Sequence, residues 1–124
     1  MNRTIIALSL VAAMWPGMGN AQDAQVVTTT GIGSATCSQY SDFWDQVGPE
    51  VAEGMTIGWA QGFASGVNVT LFFNGSGENM RNLNNMDASV ADFVSNHCDQ
   101  NSDATVVDAL IAFFATLPIV VPEE

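Results

Sequence analysis

The sequence predicts an all-α fold, a small four-helix bundle closed by one disulfide. Apolar residues recur at helical spacing in four segments, and no strand-like alternation of useful length competes with them. Helix breakers separate or end the segments, most clearly Gly48-Pro49 and Pro118. The only two cysteines, Cys37 and Cys98, fall in the first and third of these segments, so that one bridge would join two helices.

The N-terminal residues predict a cleaved secretory signal over residues 1–21. Arg3 supplies the positive charge, Ile5 begins an apolar stretch of about eleven residues, and small residues precede a cleavage point after Ala21. Such a stretch is too short to span a bilayer. We therefore expect export, and a periplasmic location in a Gram-negative host. Residues 22–35, rich in Thr and Gly, predict a flexible arm, and residues 36–124 a single helical domain.

Both cysteines lie in the part that export would deliver to an oxidising compartment, where thiols pair and persist. The loop closed by a Cys37–Cys98 bridge is long enough for the entropic model to give about 4 kcal/mol of stabilisation. Two buried free thiols are the alternative. A zinc site is disfavoured because the chain lacks the further Cys or His ligands that tetrahedral zinc requires.

The first helix is predicted over residues 37–47. Thr36 and Gln39 fit a capping box before it. One face then carries Cys37, Tyr40, Trp44 and Val47. Gly48 ends this helix, and Pro49 suits the first turn of the next.

The second helix, predicted to begin near residue 50, has the most unusual pattern in the chain. Four glycines spaced by four residues form one stripe: Gly54, Gly58, Gly62 and Gly66. Larger side chains form the neighbouring stripe: Met55, Trp59 and Phe63. Each interior glycine costs up to about 1 kcal/mol relative to alanine. The stripe therefore predicts that another helix packs closely against it, and that Gly62→Leu destabilises the fold.

The glycine pattern also has a membrane interpretation, because small residues at this spacing pack membrane helices and no charge occurs from Gly54 to Gly77. Gln61 and Asn68 interrupt this segment, and Asp108 interrupts the apolar stretch near the C-terminus. Each of these polar groups is costly in hydrocarbon. Insertion into a membrane is therefore not expected.

Residues 74–86 predict the longest loop, rich in Asn and Gly and carrying Arg81. Asp87 is placed to cap a third helix that ends near residue 98. Ser102 or Asp103 is placed to cap a fourth helix that ends before Pro118. Because the fourth helix has little polar surface, we expect it to be the central and most buried one.

The charge distribution excludes several classes of function. The chain has 13 acidic residues, 2 basic ones and a net charge of −11. After loss of the signal, Arg81 is the only Lys or Arg residue. Nucleic acid and anionic lipid need basic surfaces, so neither is an expected partner. With one histidine, His97, no lysine and two cysteines expected to pair, the chain offers few groups for catalysis. We expect no enzyme, no cofactor and no metal.

The arrangement of the cysteines and of one helical segment resembles the small periplasmic HdeA-like proteins. The resemblance rests on Cys37 at the start of a helix, the segment GWAQGFASG at 58–66, and His97-Cys98 at the end of a later helix. That group includes acid-stress chaperones and, more distantly, Rap/Tai-type immunity proteins that neutralise type VI secretion toxins. The resemblance implies a helical bundle tied by the Cys37–Cys98 bridge and, for the chaperones, a dimer that opens in acid.

Taken together, these features predict a small exported, non-enzymatic interaction protein that binds or inhibits a protein partner. The candidate contact residues are Trp59, Phe63 and Arg81, together with the 74–86 loop and the acidic surface. A homodimer is a second expectation. The alternative function is a periplasmic acid-stress chaperone. Without lysine, however, the chain would approach neutrality at low pH and lose charge-based solubility, so the binding module ranks first.

Overall fold

A computed structural model describes residues 28–121, and the proposed signal, residues 22–27 of the arm and residues 122–124 lie outside this range. Four α-helices follow one another: α1 Cys37–Val47, α2 Pro49–Phe73, α3 Ala88–Gln100 and α4 Val106–Thr116. Two short 3-10 helices, Gly31–Ser34 and Gly77–Asn79, lie before α1 and after α2. Within the described range there is no β-strand, only two isolated bridges. The all-α, four-helix prediction is confirmed.

The helix boundaries follow local capping chemistry. In α1 the predicted capping box is present: Gln39 N–H donates to Thr36 Oγ1 (3.2 Å) and Thr36 N–H to Gln39 Oε1 (2.9 Å). Asp87 caps α3 by accepting from Ser89 N–H at 3.1 Å. The predicted cap of α4 at Ser102 or Asp103 is wrong. Thr105 caps this helix instead, in a reciprocal box with the side chain three residues further on.

The two cysteines are joined by a disulfide, so the alternative of free thiols does not apply. The bridge connects the first residue of α1 to the last turn of α3. Both residues are buried, at 2% exposure for Cys37 and 6% for Cys98. The bridge thus lies within the core rather than on its surface. The core contains these buried residues: Cys37, Tyr40, Ala60, Ala64, Met86, Val90, Val94, Cys98, Val106, Ala109, Leu110, Phe113 and Leu117.

The helix with the most neighbours is α3, not α4 as the apolar composition predicted. α3 packs extensively against each of the other three helices, whereas α4 packs chiefly against α3 and the first 3-10 helix. The expectation that α4 is the most buried helix is confirmed, because five of its eleven residues are buried, against four of thirteen in α3. The apolar sequence therefore identified the helix with the largest buried share but not the one with the most neighbours, which depends on how the other segments pack.

The predicted packing role of the glycine stripe is wrong as far as residues 28–121 are concerned. Gly54, Gly58, Gly62 and Gly66 are exposed, and a Cβ added to any of them would meet no neighbouring atom within 4 Å. A different set of small residues forms the buried face of α2: Ala52, Thr56, Ala60 and Ala64. The two sets are offset by two residues, about 200° around the helix, so burial of one exposes the other.

The chain before α1 is packed against the bundle from Gly31 onward, which corrects the boundary predicted for the flexible arm. Gly33 is buried, and a Cβ built on it would overlap the Trp59 ring, so only glycine allows this approach. Val106 N–H donates to Ala35 O at 2.9 Å, which joins the segment to the start of α4. Residues 31–35 therefore belong to the domain.

Candidate interaction surface

Trp59 and Phe63, two of the candidate contact residues, stack on one flank of α2 with ring centroids 5.7 Å apart. Trp59 donates its indole N–H to Thr30 O at 3.2 Å, and the first 3-10 helix covers part of its ring. Both aromatic side chains are half-buried against the core. Trp59 therefore serves mainly to attach the N-terminal segment. Phe63 also lines a shallow groove that Gly62 and Gly66 border.

Arg81, the third candidate contact residue, is used within the chain. Its Nη1 donates to Leu117 O at 2.9 Å, and its guanidinium lies 6.0 Å from the centroid of the Phe114 ring. Nε is buried and has no hydrogen-bond partner among the described residues. The side chain is half-buried and connects the long loop to the end of α4. Its use in contacting a partner stays a prediction.

The long loop is held in place by side chains of α2. Asn68 forms two hydrogen bonds with the backbone of Arg81: its Oδ1 accepts from Arg81 N–H (2.9 Å) and its Nδ2 donates to Arg81 O (2.8 Å). Gln61 donates to Met86 O at 2.9 Å, and Met86 is buried. These two amides, which the sequence analysis counted only as obstacles to membrane insertion, fix the path of the loop.

Residues 80–82 and 118–120 pair as a short antiparallel bridge centred on Arg81 and Ile119. Asn82 N–H donates to Pro118 O at 2.8 Å, and Val120 N–H donates to Met80 O at 2.9 Å. The bridge brings the C-terminal segment alongside the end of α2. The sequence analysis did not identify this segment, although Pro118 followed by three β-branched residues was a signal for an extended strand.

The exposed apolar residues concentrate around this bridge, and we call them the tail patch: Phe72, Phe73, Ile119, Val120 and Val121. Phe73 is 78% exposed and Val121 80% exposed. The Phe72 and Phe73 rings meet edge to face with centroids 5.5 Å apart. Phe72, Met80 and residues 119–121 line an open groove of about 580 Å³. The lining of this groove is mainly apolar.

The candidate chemical groups of the described chain are dispersed. His97 is half-buried and stacks on Phe93 at a centroid distance of 6.3 Å. Hydrogen bonds from Thr105 N–H and Oγ1 lower the pKa of Asp108, and a hydrogen bond from Ser89 N–H lowers the pKa of Asp87. Asp87 is the N-cap of α3, and Asp108, the third residue of α4, completes the capping box that begins this helix. Among residues 28–121, no three His, Cys, Asp or Glu side chains are grouped as a metal site would require.

Over the same residues, no helix combines the length and the apolar character needed to cross a membrane. Comparisons of the chain with protein-family models, with curated proteins and with solved structures find no match. The HdeA-like resemblance therefore stays a prediction that rests on Cys37, the 58–66 segment and His97-Cys98.

Proposed function

We propose that this is a small exported, non-enzymatic protein that binds a protein partner through the tail patch, in the periplasm if the host is Gram-negative. The observation that carries the proposal is the grouping of exposed Phe72 with an exposed β-branched segment around one apolar groove, beside which Phe73 packs edge to face on Phe72. Grouped apolar residues on the surface of a small domain are typical of interaction sites, and aromatic residues often supply much of the binding energy.

The charge of the chain supports a protein partner rather than other macromolecules. With a net charge of −11 and no lysine, the surface repels phosphate backbones and anionic headgroups. The negative electrostatic potential of this surface would accelerate the encounter with a basic protein. The tail patch would then supply the binding energy of the contact. The patch and the acidic surface thus have complementary roles in one binding event.

The test is affinity capture by the chain lacking residues 1–21, added to the exported fraction of its host. The double variant Phe72→Ser/Phe73→Ser removes the aromatic part of the patch. Ile111→Ser, at a residue 50% exposed on α4, removes apolar surface elsewhere. We expect a stoichiometric partner to be retained by the unmodified chain and by Ile111→Ser. The double variant should retain at least tenfold less, with an unchanged thermal melt. Equal retention by all three chains would contradict the proposal.

An acid-stress chaperone is the second candidate function, favoured by the carboxylate caps. Asp87 caps α3, and Asp108 completes the capping box of Thr105 at the start of α4; protonation weakens both carboxylates as acceptors and would loosen these helices in acid. ANS fluorescence and a client aggregation assay at pH 2–3 test this function. Acid-induced ANS binding with protection of the client would favour it. A chain that stays folded and inert at this pH would eliminate it.

A further inference from the structure

The bridge between residues 80–82 and 118–120 has two edges of different character. In an antiparallel pair with this bonding pattern, the central residues direct their backbone N–H and C=O groups away from the partner strand. The central residues here are Arg81 and Ile119. Asn68 satisfies both outward groups of Arg81 with its side-chain amide, in the way a neighbouring strand would. The Arg81 edge is therefore closed.

Within residues 28–121, nothing pairs with the Ile119 edge. The N–H and C=O groups of Ile119 form no hydrogen bond with any described residue. Its side chain is 47% exposed, and Val121, the next residue with outward-directed backbone groups, is 80% exposed. An unpaired edge made of β-branched residues is a template for a further strand.

An apolar groove adjoins this edge, so a strand added there would also find contacts for its side chains. Ile119 and Val121 themselves line the groove, opposite Phe72 and Met80. Its volume of about 580 Å³ is within the range of sites that enclose small ligands. Strand addition of this kind takes affinity from main-chain hydrogen bonds and specificity from pockets for alternate side chains.

Charge indicates which occupant the edge favours. Of the described residues that line the groove, Glu78 is the only charged one, and the sequence continues from Val121 to Glu123 and Glu124. Arg81, the only Lys or Arg among residues 28–121, donates to Leu117 O and does not line the groove. A second copy of this chain would bring the same acidic charge to the contact. A segment with flanking Lys or Arg residues would be attracted instead.

We propose that the Ile119 edge binds an extended apolar segment of a protein partner, flanked by Lys or Arg, as an added β-strand. The added strand would exchange backbone hydrogen bonds with Ile119 and place an apolar side chain in the groove between Phe72 and Val121. Its flanking cation would lie near Glu78. This inference rests on the proposed function and specifies the chemistry of the partner.

The test uses two capped synthetic peptides, Lys-Thr-Val-Thr-Val-Thr-Lys and its counterpart with Glu at both ends, titrated into the chain lacking residues 1–21. Amide NMR shifts and hydrogen exchange are followed at residues 118–121. We expect the Lys peptide to shift these amides and to protect the Ile119 N–H. The Glu peptide should bind at least tenfold more weakly. Binding of both peptides with equal affinity, or shifts confined to other residues, would overturn the proposal.

Two variants separate backbone pairing from general apolar contact. Ile119→Pro removes the outward N–H without removing a donor from the inner bridge, whereas Ile119→Ala removes only side-chain contacts. We expect Ile119→Pro to weaken binding at least tenfold relative to Ile119→Ala. Glu78→Lys, at an exposed residue, should abolish the preference for the Lys peptide and so tests the charge argument without altering the bridge. If the two Ile119 variants bound the Lys peptide with equal affinity, strand addition would be contradicted. If Glu78→Lys still preferred the Lys peptide over the Glu peptide, the charge argument would be contradicted.

Measurements without peptide identify other occupants. A dimer mass together with a protected Ile119 amide would assign the edge to a second copy. Protection of that amide in a monomer would assign it to residues of the same chain. Either result overturns this inference but leaves the proposed function intact. The proposed function fails only if the retention of every captured partner is independent of Phe72 and Phe73.

Discussion

Helix α2 carries two stripes of small residues with the same four-residue spacing, and the fold uses only one of them for packing. The buried stripe contains Ala52, Thr56, Ala60 and Ala64. The exposed stripe contains Gly54, Gly58, Gly62 and Gly66. The glycine stripe looked like the packing face because each glycine has a cost that close packing would offset. In the structure, the glycines lie on a surface that has no neighbour among the described residues, so no close packing offsets their cost to helix stability.

The contacts made by other helices explain which stripe is buried. Phe63 packs against the core, but it lies about 60° from both stripes, so the large residues of α2 alone do not distinguish them. The alanine stripe faces the side chains of other helices, as at Thr56, whose hydroxyl is 2.9 Å from Tyr40 OH of α1. Beyond the glycine stripe, Val51 and Met55 are 50% and 52% exposed and belong to no core cluster. The burial of a small-residue stripe is thus determined by the segments that pack on it.

The largest expected effect comes from adding the same side chain to each stripe. Ala60 has 0% exposure, so Ala60→Leu overfills the core and should lower the free energy of unfolding by about 3 kcal/mol. Gly62→Leu places leucine in open space and replaces a poor helix former, so stability should be unchanged or slightly higher. Denaturant unfolding of both variants measures the difference. A loss for Gly62→Leu as large as that for Ala60→Leu would mean that the glycine stripe packs against something.

A smaller effect is expected from removing one hydroxyl on each face. Thr56 Oγ1 is 2.9 Å from Tyr40 OH and donates to Ala52 O, with both side chains buried. Thr56→Val would leave the tyrosine hydroxyl without its partner, at a cost of about 2 kcal/mol. Thr70 Oγ1 donates to Gly66 O on the exposed side, so Thr70→Val should change stability by less than about 0.5 kcal/mol. If thermal melts showed the same loss of stability for Thr56→Val and Thr70→Val, the buried and exposed faces of α2 would not differ as described.

The smallest expected effect is a pH dependence that leaves the comparison itself unchanged. Neither stripe contains a titratable group, so the difference in unfolding free energy between Ala60→Leu and Gly62→Leu should be the same at pH 7 and pH 4.

Hydrogen bonds lower the pKa of Asp87 and Asp108 in the folded chain. Their contribution is therefore complete above the unfolded-state pKa of about 3.9 and is lost as pH falls through the lower folded values. Unfolding of Asp108→Asn, followed from pH 6 to pH 2, should show a shallower decline than the unmodified chain. An identical decline would assign the pH dependence to other carboxylates.

Local chemistry made parts of the fold predictable. The Thr36–Gln39 box depends on residues three apart, and Asp87 accepts from a backbone N–H two residues later. Such contacts form as soon as the helix does, so the sequence contains all the information they need. The cap of α4 was missed for a related reason. Several candidates stood in a row, and Thr105 prevailed because its box with Asp108 and the bridge to Thr36 form together.

The candidate surface was less predictable because its parts are distant in sequence. Phe72 and Val121 line one groove although almost fifty residues separate them, and no periodic pattern links them. Asn68 determines which edge of the bridge is closed, yet in the sequence it is one polar residue in a long apolar helix. Only the folded chain shows that Arg81 donates to Leu117 at the end of α4 and that no described residue pairs with the Ile119 edge.

By itself, the sequence determined the helical class, the number of α-helices, the caps of α1 and α3, and an acidic surface unsuited to nucleic acid. These properties depend on composition and on neighbours within one or two helical turns. Tertiary structure decided that Cys37 and Cys98 are bonded, that α3 is central, and that the alanines of α2 are buried while its glycines are exposed. The physical reason is that burial is a property of several segments together. A helix has two or more faces that satisfy local rules equally, and only the large side chains of other helices select between them.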